Sequence, residues 1–374
     1  MTSMLPSVIK SRLTDARLLL VDQGLDALLV SGSDNRRYLS GFTAREEVLH
    51  ESCGSLLITR DAALLFTDFR YQEWAQSEVS EFDILTYQAG LGAILAEQLS
   101  VWGVGRLGFE TSYLSFGQYQ RLTKAATDAG LEVEWVPTEG LVEGLREVKI
   151  PEEVSRVRKA LALTEKVFTE IVALLRPGLT EGQVAWEIER RLREEGAEAL
   201  AFPPIVAAGA NSARPHHRPG DYRLQEREPI IIDMGGRVGG YCADHTRTVI
   251  LGEATERFRE IYTLVRRAQA RAEAGLRAGM ESLEGDALAR EVIVQAGYGE
   301  AFGHSLGHGV GLAVHEAPSL SPLKERNTVL QAGSIVTVEP GIYLSGWGGV
   351  RLEDMALIQT HGAEVLSQVG FYKF

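Results

Sequence analysis

Two features of the sequence predict a two-domain chain: an α/β domain first, then an α+β domain with internal pseudo-twofold symmetry. Over residues 1–147, short apolar runs of strand length alternate with stretches of helical periodicity. Beyond residue 200, acidic residues recur in pairs on β-like hairpins with glycine-rich turns. A length of 374 residues is enough for roughly two cores of ordinary size.

The elements follow in order. Residues 7–23 carry helical periodicity and stop near Gly24, a suitable C-cap. LDALLVSG (25–32) reads as a buried strand, SLLITRDAALLFTDFR as a hairpin, and FDILTY, RLGFE and LEVEWVP as further strands. Helices are predicted near 88–102 and 115–129. GVGRLG (103–108) has the spacing of a dinucleotide-binding glycine motif, but RLGFE reads as a strand where that motif needs a helix to open.

The second domain, 148–374, begins with a composition shift. Pro151 suits a first helical turn with acidic residues behind it, and Thr180 with Gln183 forms a capping-box pattern that opens a second helix. A long third helix is predicted over 254–278. Asp233 and Asp244 then lie 11 residues apart across GGRVGG, and Glu339 and Glu353 lie 14 apart across YLSGWGG. Each hairpin delivers two carboxylates to one place, the basis for the expected symmetry.

Composition excludes several functions. A net charge of −13 argues against nucleic acid or an anionic membrane as the main partner. Two cysteines, Cys53 and Cys242, are too few for a disulfide framework or a cysteine zinc site. Cys242 reads as a small buried residue. The N-terminal stretch has no uninterrupted apolar region and no run reaches membrane-spanning length, so a cytoplasmic protein is expected.

The chemistry lies in Asp233, Asp244, His308, Glu339 and Glu353. Four carboxylates and one imidazole match two hard divalent cations sharing a hydroxide, and their four charges balance. Carboxylates set in apolar β-like runs are costly unless a partner neutralises them. Alternation through YCADHTRTVI points Cys242, Asp244, Thr246 and Thr248 one way. His304, His308 and His315 fall within twelve residues, flanked by glycines that allow close backbone packing. One can bind metal while the others orient substrate or shuttle protons. His216 and His217 sit in the proline-rich loop SARPHHRPGD, where either could be a surface histidine. Arg351 is two residues before Glu353, placed to neutralise carboxylates or to bind a substrate carboxylate. With no Walker A loop and no H-E-x-x-H, hydrolysis of an amide or ester at a dimetal centre is the expected reaction.

The motifs DMGGRVGGYCADHTRT, GHSLGHGVGLAVHE, TVEPGIY and GVRLEDM, with DNRRYLSGF near the N-terminus, resemble the pita-bread metallopeptidases of the Xaa-Pro branch. The resemblance covers nearly the whole chain. It implies a creatinase-like N-terminal domain and a pita-bread catalytic domain. It also implies that Asp233 holds one metal and His308 and Glu339 the other, with Asp244 and Glu353 bridging. Glu339 would act as general acid/base on the bridging hydroxide, His304 would assist proton transfer, and His315 would contact the scissile carbonyl or the substrate. His216 matches the family's Pro-His position at the proline pocket, and Phe202 would line that pocket. Mn²⁺ is the implied metal, with Co²⁺ or Zn²⁺ as substitutes.

Within this branch the substrate is either an Xaa-Pro dipeptide (prolidase) or a longer peptide (aminopeptidase P). The charged stretch AREEVLHESCG, with Arg45, Glu46, Glu47, His50 and Glu51, is longer than the turn usual in relatives. We expect it to help pair N-terminal domains in a homodimer and to bring Arg45 to the carboxylate of a dipeptide, obstructing longer substrates. Prolidase is therefore the leading expectation and aminopeptidase P the alternative. A metal-free creatinase-like enzyme or a non-catalytic relative is more remote, because the ligands are intact.

Overall fold

The computed structural model describes residues 5–46, 48 and 51–372. The chain divides into two compact units, Met1–Arg146 and Glu147–Phe374.

The first unit is built on a six-stranded mixed sheet. Its strands are β1 (Ala27–Val30), β2 (Ser55–Thr59), β3 (Ala63–Asp68), β4 (Asp83–Tyr87), β5 (Arg106–Glu110) and β6 (Glu134–Thr138), in the order β4-β3-β2-β1-β5-β6. β2 runs antiparallel to both β1 and β3, and the other pairings are parallel. The run GVGRLG therefore leads into strand β5, as its sequence implied. Helices α1 (Pro6–Asp22), α2 (Ser33–Ser40), α3 (Gln72–Glu78), α4 (Leu91–Val101), α5 (Phe116–Asp128) and α6 (Leu141–Glu147) complete the unit. Gly24 follows α1 at φ +61°, a left-handed conformation that costs glycine little. Leu29, Leu57, Leu64 and Phe66 of the sheet pack with Leu95, Leu99 and Leu122 of the helices.

The charged stretch after residue 43 is not a simple solvated loop. Arg36 is fully buried and donates to Glu46 Oε1 at 2.7 Å, to the Gly54 carbonyl at 2.6 Å and to the Ala44 carbonyl at 2.5 Å. Glu46 also accepts from the Cys53 N–H at 2.7 Å. One buried guanidinium thus ties together both ends of the segment. Glu47 and His50 lie outside the described residues.

The second unit repeats one plan twice. Its first half has α7 (Pro151–Leu174), α8 (Glu181–Glu194), β7 (Ala199–Leu200), β8 (Ile205–Ala208), β9 (Pro229–Met234), β10 (Gly236–Val238), β11 (Tyr241–Cys242) and β12 (His245–Ile250). The second half has α9 (Glu256–Gly275), α10 (Ser282–Gln295), β13 (Gly307–Gly309), β14 (Glu316–Leu320), β15 (Ile335–Val338), β16 (Gly341–Leu344), β17 (Gly348–Arg351), β18 (Asp354–Gln359) and β19 (Gly362–Val365). Each half packs a helix pair on an antiparallel sheet, ordered β12-β9-β8 in one and β14-β13-β15-β18-β19 in the other. Each half also has its own apolar core, one around Val167, Ile188 and Ile232 and one around Phe258, Val265 and Val336.

The capping box read at Thr180 is present, with the hydroxyl accepting from Gln183 N–H, and Thr255 caps α9 in the same way. Helix α10 was not singled out in the sequence. Its apolar residues are spread around the helix rather than gathered in one stripe, because it is half of a tightly packed helix pair with α9.

Each hairpin is nested rather than simple. β9 pairs directly with β12, and β10–β11 forms a smaller hairpin between them; β15 pairs with β18, with β16–β17 between. The expected continuous alternation from Cys242 to Thr248 is broken at Ala243–Asp244, where the chain passes from the small hairpin to the large one.

Candidate metal centre

All five sequence-predicted ligands meet where the two nested hairpins converge. Asp233 sits in β9 opposite Thr246 of β12 and Ile205 of β8. Asp244 precedes β12, Glu339 follows β15, and Glu353 lies between β17 and β18. Irregular backbone beside a regular ladder lets the side chain leave the strand's alternation and turn inward. His308 comes from β13, where the register shifts after it. Two glycines make this approach possible: a Cβ on Gly235 would lie 2.0 Å from the Ala243 carbonyl, and one on Gly307 would lie 2.0 Å from the Thr337 carbonyl.

The donors converge as a cation requires. Ligand atoms of Asp244, His308 and Glu353 all lie within 4.8 Å of one another. His308 Nε2 is 3.3 Å from Glu339 Oε1 and 3.6 Å from Asp244 Oδ2. His308 Nδ1 lies 3.1 Å from the Gly309 carbonyl, which can only accept, so Nδ1 carries a proton and Nε2 faces the acids. Asp233 Oδ1 and Glu353 Oε1 are buried with no hydrogen-bond partner among the described residues. Orphaned carboxylate oxygens at a converging cluster fit divalent cations and are otherwise costly.

The charges agree with this geometry. Burial, reinforced by the neighbouring carboxylates, pushes Asp244 and Glu353 well above the usual carboxylate range. Asp233 is raised by burial too, although Arg351 offsets part of it. Glu339 is the exception: burial opposes ionisation, but the hydrogen bond and charge of His308 take it down to about 2. His308 is raised in turn, because Glu339 outweighs the effect of burial.

Arg351 lies at the centre of a relay that the sequence showed only in part. Its Nη2 donates to Asp233 Oδ2 at 2.6 Å, Nη1 to the Tyr343 hydroxyl at 2.9 Å and to the Pro215 carbonyl at 3.3 Å, and Nε to Thr246 Oγ1 at 3.3 Å. Of the two roles considered for it, the geometry therefore favours neutralising carboxylates. Thr246 Oγ1 donates onward to Glu353 Oε2 at 2.7 Å. Tyr343 Oη lies 2.9 Å from His304 Nε2, while His304 Nδ1 lies 2.8 Å from the Ser305 carbonyl. Nδ1 is thus protonated, and Tyr343 accepts from Arg351 while donating to Nε2. Burial lowers the pKa of His304 and keeps it neutral.

Tyr343 was missed in the sequence although it stands four residues after Glu339, and so was Thr337, which donates to Glu339 Oε1 at 3.1 Å. The signal for Tyr343 was an aromatic in a glycine-rich hairpin, equally suited to plain packing.

A cavity of about 700 Å³ opens onto the centre. Phe202, His216, His304, His315 and Arg351 all line it, with Pro203, Pro204 and Pro215. The His315 and His308 rings meet edge to face at 4.2 Å, and burial, with the charge of His308, lowers His315. His217 turns to Glu181, at 2.8 Å. Arg45 belongs to the first unit and pairs with Asp34 at 2.5 Å. The structure gives no placement of it at the metal centre.

Comparisons with known proteins agree on one lineage. The model of metallopeptidase family M24 matches residues 155–360, and that of the creatinase/prolidase N-terminal domain matches residues 12–148. The chain is 34% identical over 350 residues to the Xaa-Pro dipeptidase of Pyrococcus horikoshii, covering 92% of this chain and 93% of the relative. It superposes on the Xaa-Pro dipeptidase from Bacillus anthracis with a TM-score of 0.90 at 37% identity, covering 97% of this chain and 99% of that one. An X-Pro aminopeptidase from Thermotoga maritima MSB8 gives a TM-score of 0.84 at 34% identity, over 93% and 97% of the two chains.

Proposed function

The chain belongs to metallopeptidase family M24, and on that premise we propose that it is an Xaa-Pro dipeptidase, releasing proline from dipeptides. The observation that carries this reading is the cavity itself. It joins a five-ligand centre to apolar and proline-rich walls and to two guanidiniums, Arg218 and Arg326, whose side chains have no ion-pair partner among the described residues. An anion is the natural guest for such groups, and a dipeptide presents its C-terminal carboxylate close to the scissile bond. Arg218 and Arg326 line this cavity, whereas Arg45 pairs with Asp34 in the first unit.

Asp233, Asp244, His308, Glu339 and Glu353 would hold two divalent ions, which supply Lewis acidity to the scissile carbonyl and acidify water. The oxygen-rich donor set suits Mn²⁺, with Co²⁺ or Zn²⁺ as substitutes. Glu339, ionised at neutral pH, takes a proton from the attacking water and passes it toward the leaving proline nitrogen. His304 Nε2, oriented by Tyr343, stands ready to assist that transfer, and His315 contacts the substrate beside it. The imide nitrogen of proline has no N–H to donate, so its ring is recognised by shape, against Phe202, Pro203 and His216. Arg351 fixes Asp233 and offsets the acidic cluster.

A homodimer paired through the N-terminal unit, with the 44–54 segment as a contact, remains part of the proposal, and sedimentation of the purified protein tests it. Two buried free cysteines agree with a reducing cytoplasmic setting.

The experiment for substrate length is the double variant Arg218→Ala/Arg326→Ala. KM for Ala-Pro should rise by about tenfold or more, while Ala-Pro-amide, which lacks the carboxylate, is cleaved unchanged. An equal loss on both substrates would remove the carboxylate clamp. The alternative, an aminopeptidase P, is favoured only if tripeptides outcompete dipeptides.

A further inference from the structure

We propose that Glu181 and His217 form a latch that sets the position of the substrate-facing loop 214–220, making both of them specificity-determining positioning residues. The inference rests on the Xaa-Pro reading for what the loop touches, and on hydrogen-bond geometry for the latch itself.

Glu181 opens α8, yet its carboxylate faces away from solvent, with a side chain 0% exposed. It receives four donors. The Ala208 N–H lies at 2.8 Å, Asn211 Nδ2 at 3.1 Å, His217 Nε2 at 2.8 Å and the Gly220 N–H at 3.3 Å. Ala208 and Asn211 precede the loop, whereas His217 and Gly220 belong to it. One carboxylate therefore fastens the loop's approach, middle and end. Hydrogen bonds to an ionised acceptor are the strong kind.

The opposite side of the same loop faces the chemistry. His216, His217, Arg218 and Pro219 line the cavity, and the Pro215 carbonyl accepts from Arg351. Pro215 and Pro219 offer no N–H, so the loop has little backbone bonding of its own; the turn from His217 N–H to the Arg214 carbonyl is its main internal bond. His217 borders the cavity with His216 and Arg218, but its Nε2 is taken up by Glu181 at 2.8 Å. The latch and the substrate contacts thus share one short, stiff segment, and a small shift of His217 displaces both neighbours. Misplacement of about 1 Å at a binding group can cost up to about a hundredfold in rate or affinity.

The test is His217→Ala, which removes one donor of four and leaves the Glu181 carboxylate bonded to Ala208, Asn211 and Gly220. The latch predicts that KM for Ala-Pro rises about tenfold while kcat stays within about threefold and manganese content is unchanged. His217→Gln, which can still donate to Glu181, should recover most of that loss. In a His216→Ala/Arg218→Ala background, adding His217→Ala should change KM by less than about twofold, because the groups it positions are gone. Hydrogen exchange over residues 209–222 should accelerate about tenfold in His217→Ala whether or not the chain cleaves Xaa-Pro bonds. Unchanged exchange, or a full KM penalty that persists in the triple variant, would overturn the latch. A wild-type chain inactive on every Xaa-Pro peptide but with exchange altered as stated would overturn the substrate reading alone.

Discussion

Tyr343→Phe tests whether the relay behind the metal centre does chemical work. The substitution keeps the ring and deletes one hydroxyl, which accepts from Arg351 at 2.9 Å and pairs with His304 Nε2 at 2.9 Å. Arg351 Nη1 is then left with only the Pro215 carbonyl at 3.3 Å, and His304 Nε2 loses its donor. Stripping a buried polar group of its partner costs roughly 1–3 kcal/mol. For a unit of this size, a loss of about 2 kcal/mol lowers Tm by roughly 4–8 °C. If the same loss of orientation appears in the transition state, kcat falls by about 10- to 100-fold. Burial holds the Tyr343 hydroxyl up at about 12, so a neutral donor is removed rather than a phenolate, and the shape of the pH–rate profile near neutrality should not change. Initial rates on Ala-Pro, thermal melts and bound manganese, measured together, decide the matter. Wild-type kcat with intact metal would refute the orienting role of Tyr343. Loss of metal would instead show that the hydroxyl acts through Arg351 on Asp233.

Three further outcomes are expected. Chelating the metal should abolish hydrolysis and lower Tm, since an ion at a hundred times its Kd stabilises by about 2.7 kcal/mol per site; a melt indifferent to chelator would contradict the fit of the cluster to cations. Lys149→Met leaves Glu316 buried opposite an apolar group, because both side chains of this 2.7 Å pair are almost wholly enclosed. It should cost roughly 3–5 kcal/mol in a urea melt, and a loss below about 1 kcal/mol would deny the pair a structural role. Burial raises Glu110 to about 7, despite the donors from Gly32, Asn35 and Ser31. Its contribution to stability is therefore complete below the unfolded value near 4.5 and is lost as pH rises through about 7, a change on the order of 3 kcal/mol. Glu110→Gln should flatten that slope, and an unchanged slope would assign it elsewhere.

The cluster of candidate ligands was legible in the sequence because each is an acid or histidine set where an apolar strand has no use for a charge. Asp233 in PIIIDM and Glu353 in VRLEDM stand out for that reason alone. The strands and long helices were legible from periodicity, as with α5 and β5. What was not legible depends on distant partners. Glu181 looks like an ordinary first-turn acid until His217, 36 residues later, folds back on it. Tyr343 acquires its role only through His304, 39 residues earlier. The pairing of Arg45 with Asp34 was likewise not legible, because the spacing across α2 gave no warning of it. The nested hairpins also escaped notice, because a glycine-rich turn reads the same whether it closes one ladder or separates two.

The most direct test is turnover of Ala-Pro, Ala-Pro-Ala and Ala-Ala at equal concentration, by one preparation before chelation, after it, and after manganese is restored. The account predicts strong preference for Ala-Pro, none for Ala-Ala, and activity that disappears with the metal and returns with it. Cleavage of Ala-Ala as fast as Ala-Pro, or turnover that survives chelation, would contradict it.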